Sequence, residues 1–167
     1  MVYNRRRGTA VVESSEGFLV VSENGKLFLL PGGGARKGES RESAAIRELY
    51  EETGLRATQS TYLFSFKGRI HRSYNGKGHF RDMHKVFSIK TDGTVKPKGE
   101  IKYFAFSHGD EPNLADSAKK IIAKYQSLKA KVAELDCKRC GAPLKFDGSP
   151  TLVKCDYCQT INHLNIT

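Results

Sequence analysis

The sequence predicts an α+β domain followed by a small metal-held appendage. Three observations carry this expectation. Short runs of alternating apolar residues lie on both sides of a segment with helical spacing, Ser40 to Gly54. A second apolar stripe, at three- and four-residue intervals, follows near the C-terminus. All four cysteines lie at or beyond position 137, in two close pairs. A chain of 167 residues has room for one substantial domain and a small addition. No run reaches the ~20 apolar residues that cross a bilayer, and the opening MVYNRRRGTA lacks the apolar core of a secretory signal. A cytoplasmic location is therefore expected. The 28 Lys and Arg against 18 Asp and Glu give a net charge of +10, which points to an anionic ligand or partner without separating phosphate-rich metabolites from nucleic acid.

Arg5, Arg6 and Arg7 lead into a first strand at Thr9–Glu13. The arginines read either as a solvated terminus or as phosphate and base contacts near a substrate entrance, Arg7 being the candidate. Gly17–Val21 and Lys26–Leu30 form a hairpin around Asn24-Gly25, a tight-turn signal between two strand-like runs. The second of these delivers the chain to Pro31-Gly32-Gly33-Gly34, a sharp backbone feature whose carbonyls are available as oxygen ligands. The helix then starts at Ser40 or Arg41, with Ser40 as cap and Ser43 in place of the usual acidic partner. Ala44, Ala45, Ile46 and Leu49 supply its packing side, and Gly54 suits the left-handed residue that ends it. Glu48, Glu51 and Glu52, at spacings of three and four, converge on one face. Such carboxylates repel one another unless a cation sits among them, and hard oxygen ligands suit Mg²⁺ or Mn²⁺. Arg47 is placed to pair with Glu51 or Glu39.

Read from Gly33, the segment is Gly, five residues, Glu39, seven residues, Arg47-Glu48-Leu49, one residue, Glu51-Glu52, one residue, Gly54-Leu55. It matches the Nudix box at every defined position, and the chain resembles the Nudix hydrolase family. The likeness spans residues 8–130 in element order, with its specificity concentrated in 33–55. It implies an α/β/α sandwich with a mixed sheet and divalent-cation-dependent hydrolysis of a nucleoside diphosphate linked to another moiety. It also implies roles. Glu48, Glu51 and Glu52 would be the main Mg²⁺ or Mn²⁺ ligands with the Gly32 carbonyl, while Glu39 and Arg47 brace loop and helix. A further glutamate near the last strand often completes such a site, and Glu100, ahead of Ile-Lys-Tyr-Phe, is the candidate, with Glu111 competing.

Beyond the box, Ala57–Lys67 alternates as a strand, and Gly68–Met83 reads as a loop rich in cations and rings. Its Arg69, His71, Arg72, Lys77 and Arg81 are candidate substrate contacts, guanidiniums for phosphate oxygens and rings for a base or sugar face; a solvated hairpin is the competing reading. His84–Ile89 is the next strand, with His84 read as an ordinary packed or hydrogen-bonded histidine. Glu100 opens a strand through Phe106. From Leu114 or Ala115 to Leu135, Ala118, Ile121, Ile122, Tyr125, Leu128 and Val132 form the stripe of a long helix that covers the sheet and reaches toward the appendage.

Cys137-Lys-Arg-Cys140 and Cys155-Asp-Tyr-Cys158, with fourteen residues between the pairs, suit four thiolates around a structural Zn²⁺. Iron in a rubredoxin-like arrangement is the lesser alternative. The appendage resembles a zinc ribbon. Its apolar residues, Leu144, Phe146, Leu152, Val153, Ile161 and Leu164, are too few for an independent core, so metal ligation must supply much of its folding free energy. Residues 1–135 are thus assigned to the catalytic domain and 136–167 to the ribbon, which is expected to contact RNA or protein. A binding module that keeps the fold but uses its basic surface is the alternative to an enzyme. The leaving group, the general base and the oligomeric state stay open at this stage.

Overall fold

The computed structural model describes residues 2–73, 76 and 78–165. Nine strands and two helices occur among them: β1 (Val2–Val11), β2 (Glu13–Ser14), β3 (Gly17–Ser22), β4 (Gly32–Gly34), α1 (Arg41–Thr53), β5 (Arg56–Arg72), β6 (His79–Asp92), β7 (Tyr103–Ser107), α2 (Asp116–Ala133), β8 (Leu152–Lys154) and β9 (Ile161–His163). A mixed sheet runs β4-β1-β6-β5, a second sheet runs β2-β3-β7, and β8 pairs with β9 in the appendage. Alternation along the strands splits the core into two layers. Ala10, Val12, Leu19, Phe87 and Ile89 pack under Ala45 and Leu49 of α1. Val11, Val20 and Val86 pack under Ile121, Ile122 and Tyr125 of α2. The α+β class and the α/β/α sandwich with a mixed sheet are thus observed. No described helix is long and apolar enough to cross a membrane.

Several boundaries differ from expectation, for physical reasons. The first strand begins at Val2, well before Thr9, because all ten residues of β1 pair in parallel with His79–Ser88 of β6. Ladder bonds to a distant strand outweigh the local signal of three consecutive arginines. The expected loop Gly68–Met83 is mostly sheet for the same reason: β5 continues to Arg72, and β6 already begins at His79. Lys77 lies outside the described residues. A bulge between Tyr62 and Phe64 lets Leu63 and Phe64 both enter the α2-side core, which simple alternation does not anticipate. Lys26–Leu30 is not a regular strand. Phe28 and Leu29 make only isolated bridges, to Leu114 and Val21, because Asn24 closes the turn by accepting from the Lys26 and Leu27 amides. Strand β7 starts at Tyr103, and Glu100 sits in the turn before it.

Candidate active site and metal centre

Helix α1 is seated where the sequence places it. The Ser40 hydroxyl accepts from the Ser43 amide at 2.9 Å, and Gly54 ends the helix at φ 74°. Its first turn lies so close to β1 that a Cβ on Gly8 would collide with the Arg41 carbonyl and the Ala45 amide. The glycine turn becomes β4, antiparallel to β1 with Gly32 beside Thr9 and Gly34 beside Arg7. Gly33 lies against the Glu48 carboxylate with no room for a side chain.

The Arg47 guanidinium is the hub of the box. It donates to both Glu39 oxygens at 2.8 and 3.0 Å, to Glu48 Oε1 at 2.8 Å, to Glu51 Oε2 at 3.0 Å and to the Gly34 carbonyl at 3.1 Å. Its hydrogen bond, with one from the Arg36 amide, holds the Glu39 carboxyl down at about 2. Glu52 is treated differently. It accepts from the Gly32 amide at 3.1 Å, and no described cation forms an ion pair with it. Burial, and then the neighbouring Glu48 and Glu51 charges, push its carboxyl up to about 7. Glu100 is exposed, in a loop held on the C-terminal end of α1 by the Lys98 amide to the Glu52 carbonyl at 2.9 Å.

Beside the box, a cleft of about 400 Å³ opens on the α2 side of the sheet. Arg7 joins the two features: it lines the cleft, and its Nη2 donates to the Gly32 carbonyl at 2.8 Å. Of the other expected substrate contacts, Arg69 and His71 line the cleft, Arg69 paired with Asp116 at 3.1 Å and His71 stacked on Phe80. Arg72 and Arg81 are not among the lining residues.

Other members of the wall were not foreseen. Arg5 forks onto Asp82 at 2.8 and 2.9 Å and lies flat over the Phe80 ring, 3.9 Å from its centre. The available signal was the alternation of Arg5, Arg7 and Thr9 with Arg6 and Gly8. Reading the arginines as a terminus hid it.

His84 lines the cleft floor, buried, with Nδ1 2.8 Å from the Thr9 hydroxyl. Burial, reinforced by the Arg7 charge, lowers it from 6.5 to about 4. The unfolded chain therefore binds a proton between those values that the folded protein refuses. Stability from this group is complete above pH 6.5 and is lost as pH falls toward 4, by up to about 3 kcal/mol. Urea unfolding of His84→Gln should show a correspondingly shallower loss between pH 6.5 and 4 than the native chain. Parallel curves would refute the assignment.

In the appendage, all four cysteine sulfurs lie within 4.8 Å of one another, with Cys137 to Cys158 at 3.6 Å and Cys140 to Cys155 at 3.7 Å. Two matching turns bring them together. The Gly141 amide donates to the Cys137 carbonyl at 2.8 Å, and the Gln159 amide to the Cys155 carbonyl at 3.0 Å, with positive φ at Gly141 and Gln159. Among the described residues these cysteines alone bring three or more ligand atoms so close. The box carboxylates instead reach toward Arg47 or Gly32.

Residues 3–125 match the NUDIX domain family. The chain belongs to that family. It is thereby a Nudix-type pyrophosphohydrolase, and the resemblance read from Gly33–Leu55 holds. A Nudix hydrolase family member from Chromobacterium violaceum is 36% identical, with a TM-score of 0.61 over 75% of this chain and 78% of that one. Two more distant structures share the fold. The ORF135 protein of E. coli is 21% identical (TM-score 0.62, 80% and 96% covered). An ADP-ribose pyrophosphatase from Streptococcus suis is 21% identical (TM-score 0.52, 78% and 94% covered).

Proposed function

We propose that this Nudix protein hydrolyses a phosphoanhydride bond in a nucleoside diphosphate linked to another moiety, using Mg²⁺ or Mn²⁺ held by Glu48, Glu51, Glu52 and the Gly32 carbonyl, with Glu100 reaching in from its loop. The observation that carries the reading is Glu52: a half-buried carboxylate beside two others, in no ion pair with a described cation, and linked to the cleft through Gly32, whose amide it accepts from and whose carbonyl accepts from Arg7. An all-oxygen donor set with uncompensated negative charge fits a hard divalent ion. When bound, such an ion supplies Lewis-acid polarisation of a phosphoryl oxygen and makes water acidic enough to attack.

The chain's own residues do the rest. Arg47, fixed by Glu39, holds Glu48 and Glu51 in register with Gly34. Arg7 offers a guanidinium to a substrate phosphate at the junction of box and cleft, and Arg69 and His71 contact the remainder of the substrate. One of Glu48, Glu51, Glu52 or Glu100 accepts the proton of the attacking water. The four cysteines hold a structural Zn²⁺, since four thiolates leave no open position for chemistry. Such thiols suit a reducing, cytoplasmic setting.

The test is a panel of ADP-ribose, nucleoside triphosphates, dinucleoside polyphosphates, inositol pyrophosphates and capped RNA ends, incubated with Mg²⁺ or Mn²⁺. Products are read by chromatography. Release of a nucleoside monophosphate from at least one nucleotide compound is expected. Equal cleavage with no divalent cation present would reject the mechanism.

A further inference from the structure

The cleft uses one face of the long hairpin; the opposite face carries an unpaired cationic field. Phe80, Asp82 and His84 line the cleft, so Arg81, Met83 and Lys85 project the other way, on the side that continues into Phe87 and Ile89 beneath α1. The β1–β6 register sets Arg6 beside Met83, with Arg81 and Lys85 diagonal to it on the same face, about 7–8 Å away. Arg41, the first residue of α1, closes the group by donating to the Met83 carbonyl at 3.3 Å. Two cations on the cleft side have acids, Arg5 of β1 with Asp82 and Arg69 of β5 with Asp116. Arg6, Arg41, Arg81 and Lys85 form no ion pair with any described residue. The Nε of Arg81 is enclosed without a hydrogen-bond partner, as is that of Arg7 on the cleft side, so it is the outer guanidinium nitrogens of Arg81 that face a ligand here.

A ring completes the pattern. Tyr62 is 46% exposed on this same face, its edge on Phe87 and the Lys85 ammonium 5.6 Å from its centre. Like charges on neighbouring strand positions destabilise a sheet unless an anion joins them. An acidic protein would match the charge but leave the exposed ring without a role. Phosphates spaced along a chain, with a flat base between them, match both.

We propose that this face binds single-stranded nucleic acid, with phosphates on Arg6, Arg41, Arg81 and Lys85 and a base stacked on Tyr62. The surface lies on the other side of the sheet from the cleft and apart from the cysteine appendage, and it adjoins the box at Arg6, which donates to the Glu39 carbonyl at 3.3 Å. Binding of a fluorescein-labelled 12-nucleotide RNA or DNA to the full, metal-loaded chain, followed by anisotropy without added Mg²⁺ or Mn²⁺, tests it. Hydrolysis is not being read, so failure here and failure of the hydrolase reading are separable. Arg81→Gln with Lys85→Glu should weaken binding at least about tenfold and flatten the log–log salt dependence by about 1.4, the share of two single-strand phosphates. Lys85→Gln alone, at a half-exposed position that does not threaten folding, should remove about half that slope. Tyr62→Ala should weaken the oligonucleotide about fivefold or more while leaving heparin, a polyanion without bases, unchanged. Lys119→Gln, on the exposed side of α2, is the charge-matched control for Lys85→Gln and should have little effect. An equal loss from the control, an unchanged salt slope, or a poly-glutamate peptide bound as tightly as the oligonucleotide would overturn the proposal.

Discussion

Glu52→Gln is expected to lower kcat by about 10²–10³-fold, the scale of losing one metal-held charge in a transition state. The fold should survive, because glutamine keeps the oxygen that accepts the Gly32 amide at 3.1 Å. The loss should exceed that of Glu39→Gln, since Glu39 spends both oxygens on Arg47 and acts by bracing it. A second readout isolates the charge itself. The folded-state value of about 7 lies above the ordinary 4.5. Between them the folded metal-free protein holds a proton that the unfolded chain has released. Its stability therefore falls as pH rises through that window, by up to about 3 kcal/mol, and Glu52→Gln should abolish the fall. In metal-free buffer at pH 8 the variant should melt above the native chain, and added Mg²⁺ or Mn²⁺ should stabilise only the native chain. Native-like turnover by the variant would remove Glu52 from the ligand set.

Whether a feature could be read in the sequence followed from how local its causes are. The box is written in adjacent turns of one helix and the glycine segment before it, so spacing alone placed Glu39, Arg47, Glu48, Glu51 and Glu52. The Arg47 hub uses partners no more than 13 positions away. The cysteine turns are equally local, each closed within five residues. The cleft is different: Arg5 meets Asp82 across 77 positions, and Thr9 meets His84 across 75. Nothing near Arg5 in the chain announces a ten-residue strand; its pairing with β6 does. Arg81 is hard to place from sequence for a related reason. Within a loop its side chain has no assigned side, whereas within a strand its alternation with Phe80 and Asp82 turns it away from the cleft. Glu100 remains the least determined of the acids because it sits in a turn, where neither period constrains it.

Cys155→Ser, or stripping the appendage with a chelator, should unfold residues 137–164 and loosen the end of α2 with them. The apolar cluster there is small: Val132 of α2, Leu144, Val153 and Leu164, with Cys137 and Cys155 themselves among its buried members. A core of that size does not offset the chain entropy of some thirty residues, so ligation must contribute most of the folding free energy, on the order of 10 kcal/mol for a four-thiolate Zn²⁺ site. Phe146 carries the consequence across to the catalytic domain. It packs against both clusters and meets the Tyr125 ring edge-on at 5.4 Å, while Gly148 lies against the Ser88 side chain. Tyr125 in turn donates to Glu13 at 2.9 Å and packs edge-on against Phe18, so loss of the ribbon strips one side of a buried ring. Hydrogen exchange should then show full loss of protection over β8 and β9, and partial loss over Tyr125–Val132. The α1 amides, in the opposite layer, should be unchanged. Phe146→Ala is expected to separate the two effects: the metal stays bound, with Zn²⁺ content near one per chain, while protection at Tyr125–Val132 still drops. If chelation left the β8 and β9 amides protected, the thiolates would not be what holds this appendage together.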